Sequence, residues 1–203
     1  MIFSLEGDIG CGKSTLIDNV ITHFKDVVSN NICVYPEEVD KWKEEGWLDL
    51  FYRDKIRYSL GLQLRVMKSQ RDIYKKMDHN KINITERCPL TNEYVFGKSL
   101  YDNNILHNLE YKLCNDIRQD YGWIPDRVIY LKASTDTCIN RIMKRGRKEE
   151  ANINIGYIDE INQAYDNYIF HVLPEKYGIA PIILDAERDS DSLLTEFLAL
   201  LPK

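Results

Sequence analysis

The sequence has few cysteines and no pattern that would link them. Its five cysteines (Cys11, Cys33, Cys88, Cys114 and Cys138) include no C-x-x-C pair and no spacing typical of a zinc site. A disulfide scaffold and a structural metal centre are therefore not expected. The cysteines fit reduced, mostly packed thiols of an intracellular protein.

The chain also lacks an excess of basic residues and a long apolar run. Its 27 Lys and Arg against 32 Asp and Glu give a net charge of −5 without a basic face or tail, which disfavours a nucleic-acid partner. No apolar run approaches the ~18 residues of a membrane span, and the first residues read as a strand, not as a targeting peptide. We expect a soluble cytoplasmic protein whose 203 residues form one domain.

What the chain does contain is an alternation of short apolar strands with longer amphipathic segments. Strands are predicted at residues 2–5, 32–35, 82–85, 128–131 and 181–184. Helices are predicted from 13 to about 24 and at 58–76, 106–119, 135–144, 158–172 and 192–200. The charged stretches 41–47 and 145–155 are predicted to be irregular and mobile. This alternation is typical of an α/β fold with a five-stranded parallel sheet between helical layers.

The first predicted strand runs into a glycine-rich segment that fills all eight positions of G-x-x-x-x-G-K-[ST]. The segment and the residue after it are Gly7, Asp8, Ile9, Gly10, Cys11, Gly12, Lys13, Ser14 and Thr15. In this pattern backbone N–H groups surround phosphates, the lysine reaches the β- and γ-phosphates, and the serine hydroxyl can bind Mg²⁺. The positive end of the following helix dipole adds to the attraction. The sequence therefore predicts nucleoside triphosphate binding.

Charged residues follow the next two predicted strands, where ligands bind in parallel sheets. Glu37 could take a proton from an acceptor hydroxyl, or it could belong to a solvated acidic turn with Glu38. Glu86 could assist Mg²⁺ at Ser14, while Arg87 could bind phosphate oxygens or hold the base carboxylate. A plain ion pair at the strand end is the alternative reading of Glu86 and Arg87.

A cluster of cations lies at the end of the helix predicted at 135–144. Arg141, Arg145 and Arg147 surround a glycine that ends this helix. Cations on a mobile segment can neutralise a transferring phosphoryl group, although cations at a helix C-terminus also compensate the dipole.

Taken in order, these motifs resemble those of the deoxynucleoside kinase family, which includes deoxycytidine, deoxyguanosine and mitochondrial thymidine kinases and the broad insect enzyme. Residues 7–15 resemble its phosphate loop, and residues 36–42 resemble its P-E-P-V-x-x-W motif with Glu38 in place of the second proline. Residues 86–88 resemble E-R-S with cysteine for serine, and residues 145–150 resemble the lid motif R-x-R-x-x-E. The resemblance spans nearly the whole chain.

The resemblance implies a P-loop kinase fold with an arginine-rich lid at about 145–155. It implies transfer of the γ-phosphoryl group of ATP, with Mg²⁺, to the 5′-hydroxyl of a deoxynucleoside. Glu37 would be the base, oriented by Arg87, with Glu86 assisting Mg²⁺. The residues implied at the phosphates and the donor base are Arg141, Arg145, Arg147 and Asp189.

The resemblance also implies the acceptor pocket. Tyr52 and Glu150 would share the sugar 3′-hydroxyl, Gln63 would pair with the base edge, Phe96 would stack on the base, and Trp42 would close the pocket. Base selectivity would depend on Val66, Gln70 and Asn92. Because Gln70 and Asn92 are neutral amides, we expect a broad or purine-tolerant pocket.

Members of this family are commonly homodimers that pack helix to helix. The apolar positions of 58–67 and 106–113 could supply such a face, and core packing explains them equally well.

Two other functions compete with this interpretation. A thymidylate-type monophosphate kinase needs cations for the phosphate of its acceptor, whereas Glu37 and Glu38 place negative charge there. A nucleotide-binding switch of the G-protein type needs N-K-x-D, and residues 80–83 lack its aspartate.

Overall fold

The computed structural model describes residues 1–26, 31–150 and 153–202. A five-stranded parallel sheet forms its centre, in the order β2-β3-β1-β4-β5. The strands are β1 (Ile2–Glu6), β2 (Ile32–Tyr35), β3 (Ile82–Glu86), β4 (Arg127–Lys132) and β5 (Ile182–Asp185). In the central strand, Phe3 is in register with Ile84 on one side and Arg127 on the other. The predicted α/β fold with a five-stranded parallel sheet is confirmed.

Helices cover both faces of the sheet. They are α1 (Lys13–Asp26), α2 (Val39–Glu44), α3 (Trp47–Arg53), α4 (Lys55–Lys76), α5 (Pro89–Thr91), α6 (Gly97–Asp102), α7 (Asn108–Tyr121), α8 (Thr135–Arg145), α9 (Ile155–Asn167) and α10 (Ser190–Ala199). A π-helical turn at Asn92–Phe96 joins α5 to α6, and a π-helical segment at Tyr168–Tyr177 continues α9. Local capping sets the helix starts: the Asp54 carboxylate, for example, accepts from the Arg57 amide at 3.1 Å and so begins α4.

Hydrophobic side chains pack on each face of the sheet and beneath the helices at its carboxyl edge. One cluster joins β1 and β4 to α1, α8 and α10, and a second joins the opposite face to α9 and its π-helical continuation. A third, around Trp42, Phe51 and Leu62, lies between α2, α3 and α4. Within the described ranges, no helix is both long enough and apolar enough to cross a membrane.

The prediction that residues 41–47 are irregular is wrong. These residues belong to α2 and to the start of α3, separated by a turn in which Gly46 has a φ of 84°. The apolar side chains of Val39 and Trp42 lie one helical turn apart and pack into the third cluster, which stabilises α2 despite the charged residues around them. Of the stretch 145–155, Lys148–Glu150 form a 3₁₀ turn, and residues 151–152 lie outside the described residues.

Candidate active site

A cavity of about 630 Å³ opens at the carboxyl edge of the sheet, next to the ends of β1, β2 and β3. This is the size of many small-ligand sites and the edge at which parallel sheets bind ligands. The phosphate loop and α1 form one end of the cavity, and α2, α3 and α4 form the other. We call these the donor half and the acceptor half, after the roles that the resemblance implies for them.

The loop of the donor half needs glycine at particular positions. Gly7 has a φ of +146°, and a Cβ there would approach the Leu131 carbonyl oxygen to 2.7 Å. Gly10 has a φ of +85°, and a Cβ there would lie 2.5 Å from the Cys138 carbonyl oxygen. Other residues would strain or displace the backbone here, so these glycines permit the loop conformation.

The two polar side chains of the loop motif face different partners. The Lys13 ammonium group donates to the carbonyl oxygens of Gly7 at 2.9 Å and Asp8 at 2.7 Å, which places it inside the loop. The Ser14 hydroxyl donates to Glu86 Oε1 at 2.9 Å. Ser14 and Glu86 therefore present two adjacent oxygen ligands of the type that Mg²⁺ prefers.

A buried carboxylate lies at the base of the loop. Asp8 is only 2% exposed, accepts from the Ile9 amide at 2.6 Å through Oδ1, and has no hydrogen-bond partner for Oδ2 among the described residues. Burial raises the pKa of Asp8 to about 7, although the nearby Lys13 opposes the shift.

Further cations line the donor half. Arg141 donates to the Cys11 carbonyl oxygen at 2.7 Å and to the Ala186 carbonyl oxygen at 2.8 Å, so it ties the loop to the segment after β5. Lys144 and Arg188 also line the cavity and were not predicted from the sequence. Lys144 lies between Arg141 and Arg145 of the predicted cation cluster, but only the fold shows that it lines the cavity. Arg188 lies outside the recognised motifs.

Asp189 is near this half but is not among the described lining residues. Its carboxylate accepts from the Ser192 amide at 2.9 Å and from the Ser192 hydroxyl at 2.6 Å, and so caps α10. Its predicted contact with the donor base stays a prediction. Arg188 and Ser190, on either side of it, face the cavity.

Glu37 and Arg87 meet where the two halves join. The Arg87 guanidinium donates to Glu37 Oε2 and, through Nε, to the Tyr165 hydroxyl at 2.9 Å. The side chains of Glu37 and Arg87 are only 10% and 9% exposed. Burial raises the pKa of Glu37, and the adjacent Arg87 opposes that rise. The geometry thus holds a carboxylate beside the phosphate loop with a fixed cation next to it.

Arg87 itself has an unusual backbone. Its φ of 61° is in the left-handed region, which a non-glycine residue rarely adopts. The backbone amide donates to the Leu5 carbonyl oxygen at 3.0 Å, and the side chain is held by Glu37 and Tyr165. Such conformations cluster at functional sites. The role of Tyr165 was not predicted, because it lies on α9, 78 residues away in the sequence.

The acceptor half has a mostly apolar wall with a few polar groups. Six of the predicted residues line it: Trp42, Tyr52, Gln63, Val66, Asn92 and Phe96. Gln70 lies behind this wall, where its Oε1 accepts from Asn92 Nδ2 at 3.5 Å. Burial raises the pKa of Tyr52, so its hydroxyl stays protonated and able to donate. Sequence reasoning missed Phe51, Leu100 and Tyr157, which complete the wall and resemble ordinary core residues in the sequence.

Glu38 does not line the cavity among the residues that the structure describes. Its carboxylate instead accepts from the Ser69 hydroxyl on α4 at 2.9 Å. The expectation that both Glu37 and Glu38 place negative charge at the acceptor is therefore wrong for Glu38.

The arginines of the predicted lid, residues 145–150, converge on one buried carboxylate. Both Arg145 and Arg147 pair with Glu150, which is 6% exposed and lines the cavity with them. Gly146, with a φ of 65°, ends α8 between the two arginines. This segment thus presents two cations and a carboxylate to the cavity.

The chain is similar in sequence and structure to known deoxynucleoside kinases. The family model described as deoxynucleoside kinase matches residues 3–197. Human mitochondrial thymidine kinase 2 is 23% identical over 97% of this chain and 74% of its own, and deoxycytidine kinase 2 of Gallus gallus is 26% identical over 96% and 86%. The structure of deoxyadenosine kinase from M. mycoides, solved with dCMP and dCDP bound, superposes with a TM-score of 0.81 at 26% identity, over 98% of this chain and 97% of that one. The chain belongs to the deoxynucleoside kinase family and is a nucleoside 5′-kinase.

Proposed function

We propose that the protein transfers the γ-phosphoryl group of ATP directly to the 5′-hydroxyl of a deoxynucleoside, within one domain of residues 1–203 whose lid spans about 145–155. One observation carries the proposal: the Glu37 carboxylate, held by Arg87, lines the same cavity as Lys13 and Ser14. A base beside a phosphate loop suits an acceptor that must lose a proton.

In the proposed reaction, the 5′-oxygen of the deoxynucleoside attacks the γ-phosphorus of ATP, and Glu37 accepts the proton of the 5′-hydroxyl. The bond from phosphorus to the bridging oxygen breaks, and ADP leaves. Lys13, Arg87, Arg145 and Arg147 offset the negative charge that spreads over the transferring group. In this proposal the lid supplies its arginines from one wall of the cavity, which Arg145 and Arg147 line.

We propose Ser14 and Glu86 as the residues that hold Mg²⁺, directly or through water. Their oxygens are adjacent, as the 2.9 Å hydrogen bond shows. The described residues contain no group of three His, Cys, Asp or Glu side chains suited to a metal, which fits an ion bound largely by phosphates and water. The bound ion would neutralise phosphate charge.

The acceptor half suits a nucleoside. We propose that Tyr52 and Glu150 bind the 3′-hydroxyl, that Gln63 pairs with the base edge, that Phe96 stacks on the base and that Trp42 closes the pocket. All five residues line the cavity. Asn92 adds a neutral amide to the wall, and Gln70 behind it accepts from that amide. Neutral amides can donate to or accept from several bases. We therefore propose broad or purine-tolerant selectivity. Steady-state kinetics on the four natural deoxynucleosides would contradict this with a preference for deoxycytidine above roughly a thousandfold.

We propose a homodimer packed through α4 and α7. Two apolar side chains one helical turn apart on α7, Leu109 and Leu113, are 67% and 48% exposed, which supports an interface there. Light scattering of the wild-type protein and the L109E/L113E variant would test this, with a monomeric wild type contradicting it.

We also propose a cytoplasmic location, supported by five free cysteines, four of them buried.

The activity is tested by measuring ADP formation from Mg·ATP with no acceptor, with each deoxynucleoside and with thymidylate. We expect turnover that depends on a deoxynucleoside. Turnover with thymidylate alone would indicate a monophosphate kinase, and equal turnover with no acceptor would indicate an ATPase.

A further inference from the structure

A buried polar network joins α2 to α4 beside the acceptor half. At its centre is the Ser69 hydroxyl on α4, which accepts from Trp42 Nε1 at 3.0 Å and from Arg65 Nη1 at 2.5 Å. The same hydroxyl donates to Glu38 Oε2 at 2.9 Å. A serine hydroxyl has one donor and two acceptor sites, so these three bonds use its full capacity.

The network is well shielded from water at its centre. Ser69 is 1% exposed and Trp42 is 5% exposed. An indole N–H buried to this extent carries a desolvation cost unless it is paired, and Ser69 is its hydrogen-bond partner. Loss of the Ser69 hydroxyl would therefore favour a shift of the Trp42 ring rather than leave its N–H unpaired.

Arg65 extends the network to the other end of α2. Its Nε and Nη2 donate to the two carboxylate oxygens of Glu45 at 2.6 and 2.9 Å, a bidentate pair. Hydrogen bonds from Arg65 lower the pKa of Glu45, which keeps that carboxylate charged. Glu38 precedes α2 and Glu45 follows it, so both ends of this six-residue helix are attached to the same face of α4.

This attachment acts on groups that line the cavity. Glu37 is the residue before Glu38, and Trp42 is in the middle of α2. On α4, Gln63 and Val66 line the cavity within one turn of the network. The relative position of these two helices therefore sets the width of the acceptor half and the place of Trp42 in it.

We infer that Ser69 and Arg65 are positioning residues of the acceptor site: through Glu38, Trp42 and Glu45 they hold α2 at a fixed distance from α4. Neither residue lines the cavity among the described residues, and the inference rests on the proposed function. It also gives Glu38 a role. The glutamate that replaces a proline of the resembled motif accepts a hydrogen bond from α4, which proline could not do.

The first test compares the KM values for the two substrates in Ser69→Ala. Loosening of α2 should raise the KM for the deoxynucleoside about tenfold and leave the KM for ATP within about twofold, because the donor half is built from other elements. Lys68→Ala is the matched control, since Lys68 is the exposed neighbour on the same helix and, among the residues that the structure describes, forms an ion pair with Asp72 only. An unchanged deoxynucleoside KM, or an equal rise in both KM values, would overturn the inference.

A second pair of variants guards against a general folding defect. Glu38→Ala removes the acceptor for the Ser69 hydroxyl, whereas Glu38→Gln keeps an amide oxygen in its place. We expect Glu38→Ala to raise the deoxynucleoside KM and Glu38→Gln to restore it to near the wild-type value. If the two variants behaved alike, the hydrogen bond would have no positioning role.

Hydrogen exchange gives a readout that does not depend on turnover. In the protein without substrates, Ser69→Ala should speed exchange of the hydrogen-bonded α2 amides, residues 42–44, about tenfold and leave those in the centre of α4 unchanged. Unchanged exchange in α2 would overturn the inference. If the wild-type protein phosphorylated no deoxynucleoside, the proposed function would fail, and the exchange rates alone would decide whether α2 is held by Ser69.

Discussion

The two halves of the cavity are built in different ways. The donor half consists mainly of one contiguous segment, residues 7–15, whose backbone conformation creates the site. The acceptor half takes side chains from α2, α3, α4, the end of β3, the π-helical turn at Asn92–Phe96 and the lid. The donor half therefore depends on its glycines and on the start of α1. The acceptor half depends on how several helices pack against one another. Substitutions should therefore separate donor binding from acceptor binding.

The largest difference between an effect on turnover and an effect on ATP binding is expected for substitution of Glu37. Glu37→Gln should lower kcat by about 10²–10⁴-fold, because the 5′-hydroxyl loses its base, and should leave ATP affinity nearly unchanged. Rapid-quench kinetics and ATP titration by calorimetry would measure the two effects. Glu44→Gln, at an exposed position on the neighbouring helix, is the control. Retention of more than about a tenth of wild-type turnover would show that Glu37 is not the base.

In the donor half, ionisation of Asp8 should make the free energy of unfolding depend on pH. Asp8 has its pKa raised from 3.8 to about 7, so the folded protein favours protonated Asp8. The contribution of Asp8 to the free energy of unfolding is fully present below about pH 4 and is lost as pH rises to about 7, a change of at most about 4 kcal/mol.

Urea unfolding at several pH values would measure this change. Asp8→Asn should remove the Asp8-dependent fall, whereas Asp120→Asn, at an exposed position, should keep it. An identical pH dependence in the wild-type protein and Asp8→Asn would contradict the assignment.

The pH profile of turnover should depend on Arg87. Burial raises the pKa of Glu37 and Arg87 opposes this, so Arg87→Gln should move the acidic limb of kcat to higher pH. Activity would then fall sooner as pH decreases, since Glu37 is protonated earlier. If the acidic limb stayed in place or moved to lower pH, Arg87 would not favour the ionised form of Glu37.

The smallest of these effects is expected at Tyr52. Loss of its hydroxyl in Tyr52→Phe should raise the KM for the deoxynucleoside by about three- to tenfold, with no change in the KM for ATP. Tyr74→Phe, whose hydroxyl is away from the cavity, should leave both values unchanged. Equal increases for both substrates in Tyr52→Phe would show that the Tyr52 hydroxyl does not bind the deoxynucleoside specifically.

The same contrast explains how far the sequence could be read. The sheet, its flanking helices and the phosphate loop follow from local patterns: apolar strands, amphipathic periodicity and glycines at fixed spacing. The helix α2 was not predicted because its many charged residues obscured the helical spacing of Val39 and Trp42. Their apolar side chains stabilise a helix only because they pack into the third cluster.

Long-range partners were beyond reach for a physical reason. Tyr165 contacts Arg87 from 78 residues away, and Ser69 contacts Glu38 from 31 residues away. Each is an ordinary helix residue in the sequence, and its role depends on how helices pack. The orientation of Glu38 towards α4 rather than the cavity has the same origin.

The central claim is that the donor and acceptor halves form one continuous site for direct transfer. A deoxynucleoside joined through its 5′-oxygen to adenosine by a polyphosphate bridge should occupy both halves at once. Calorimetry is predicted to give a Kd at least about a hundredfold lower than that of ATP or the deoxynucleoside alone. A Kd no lower than that of the tighter single substrate would contradict a shared site.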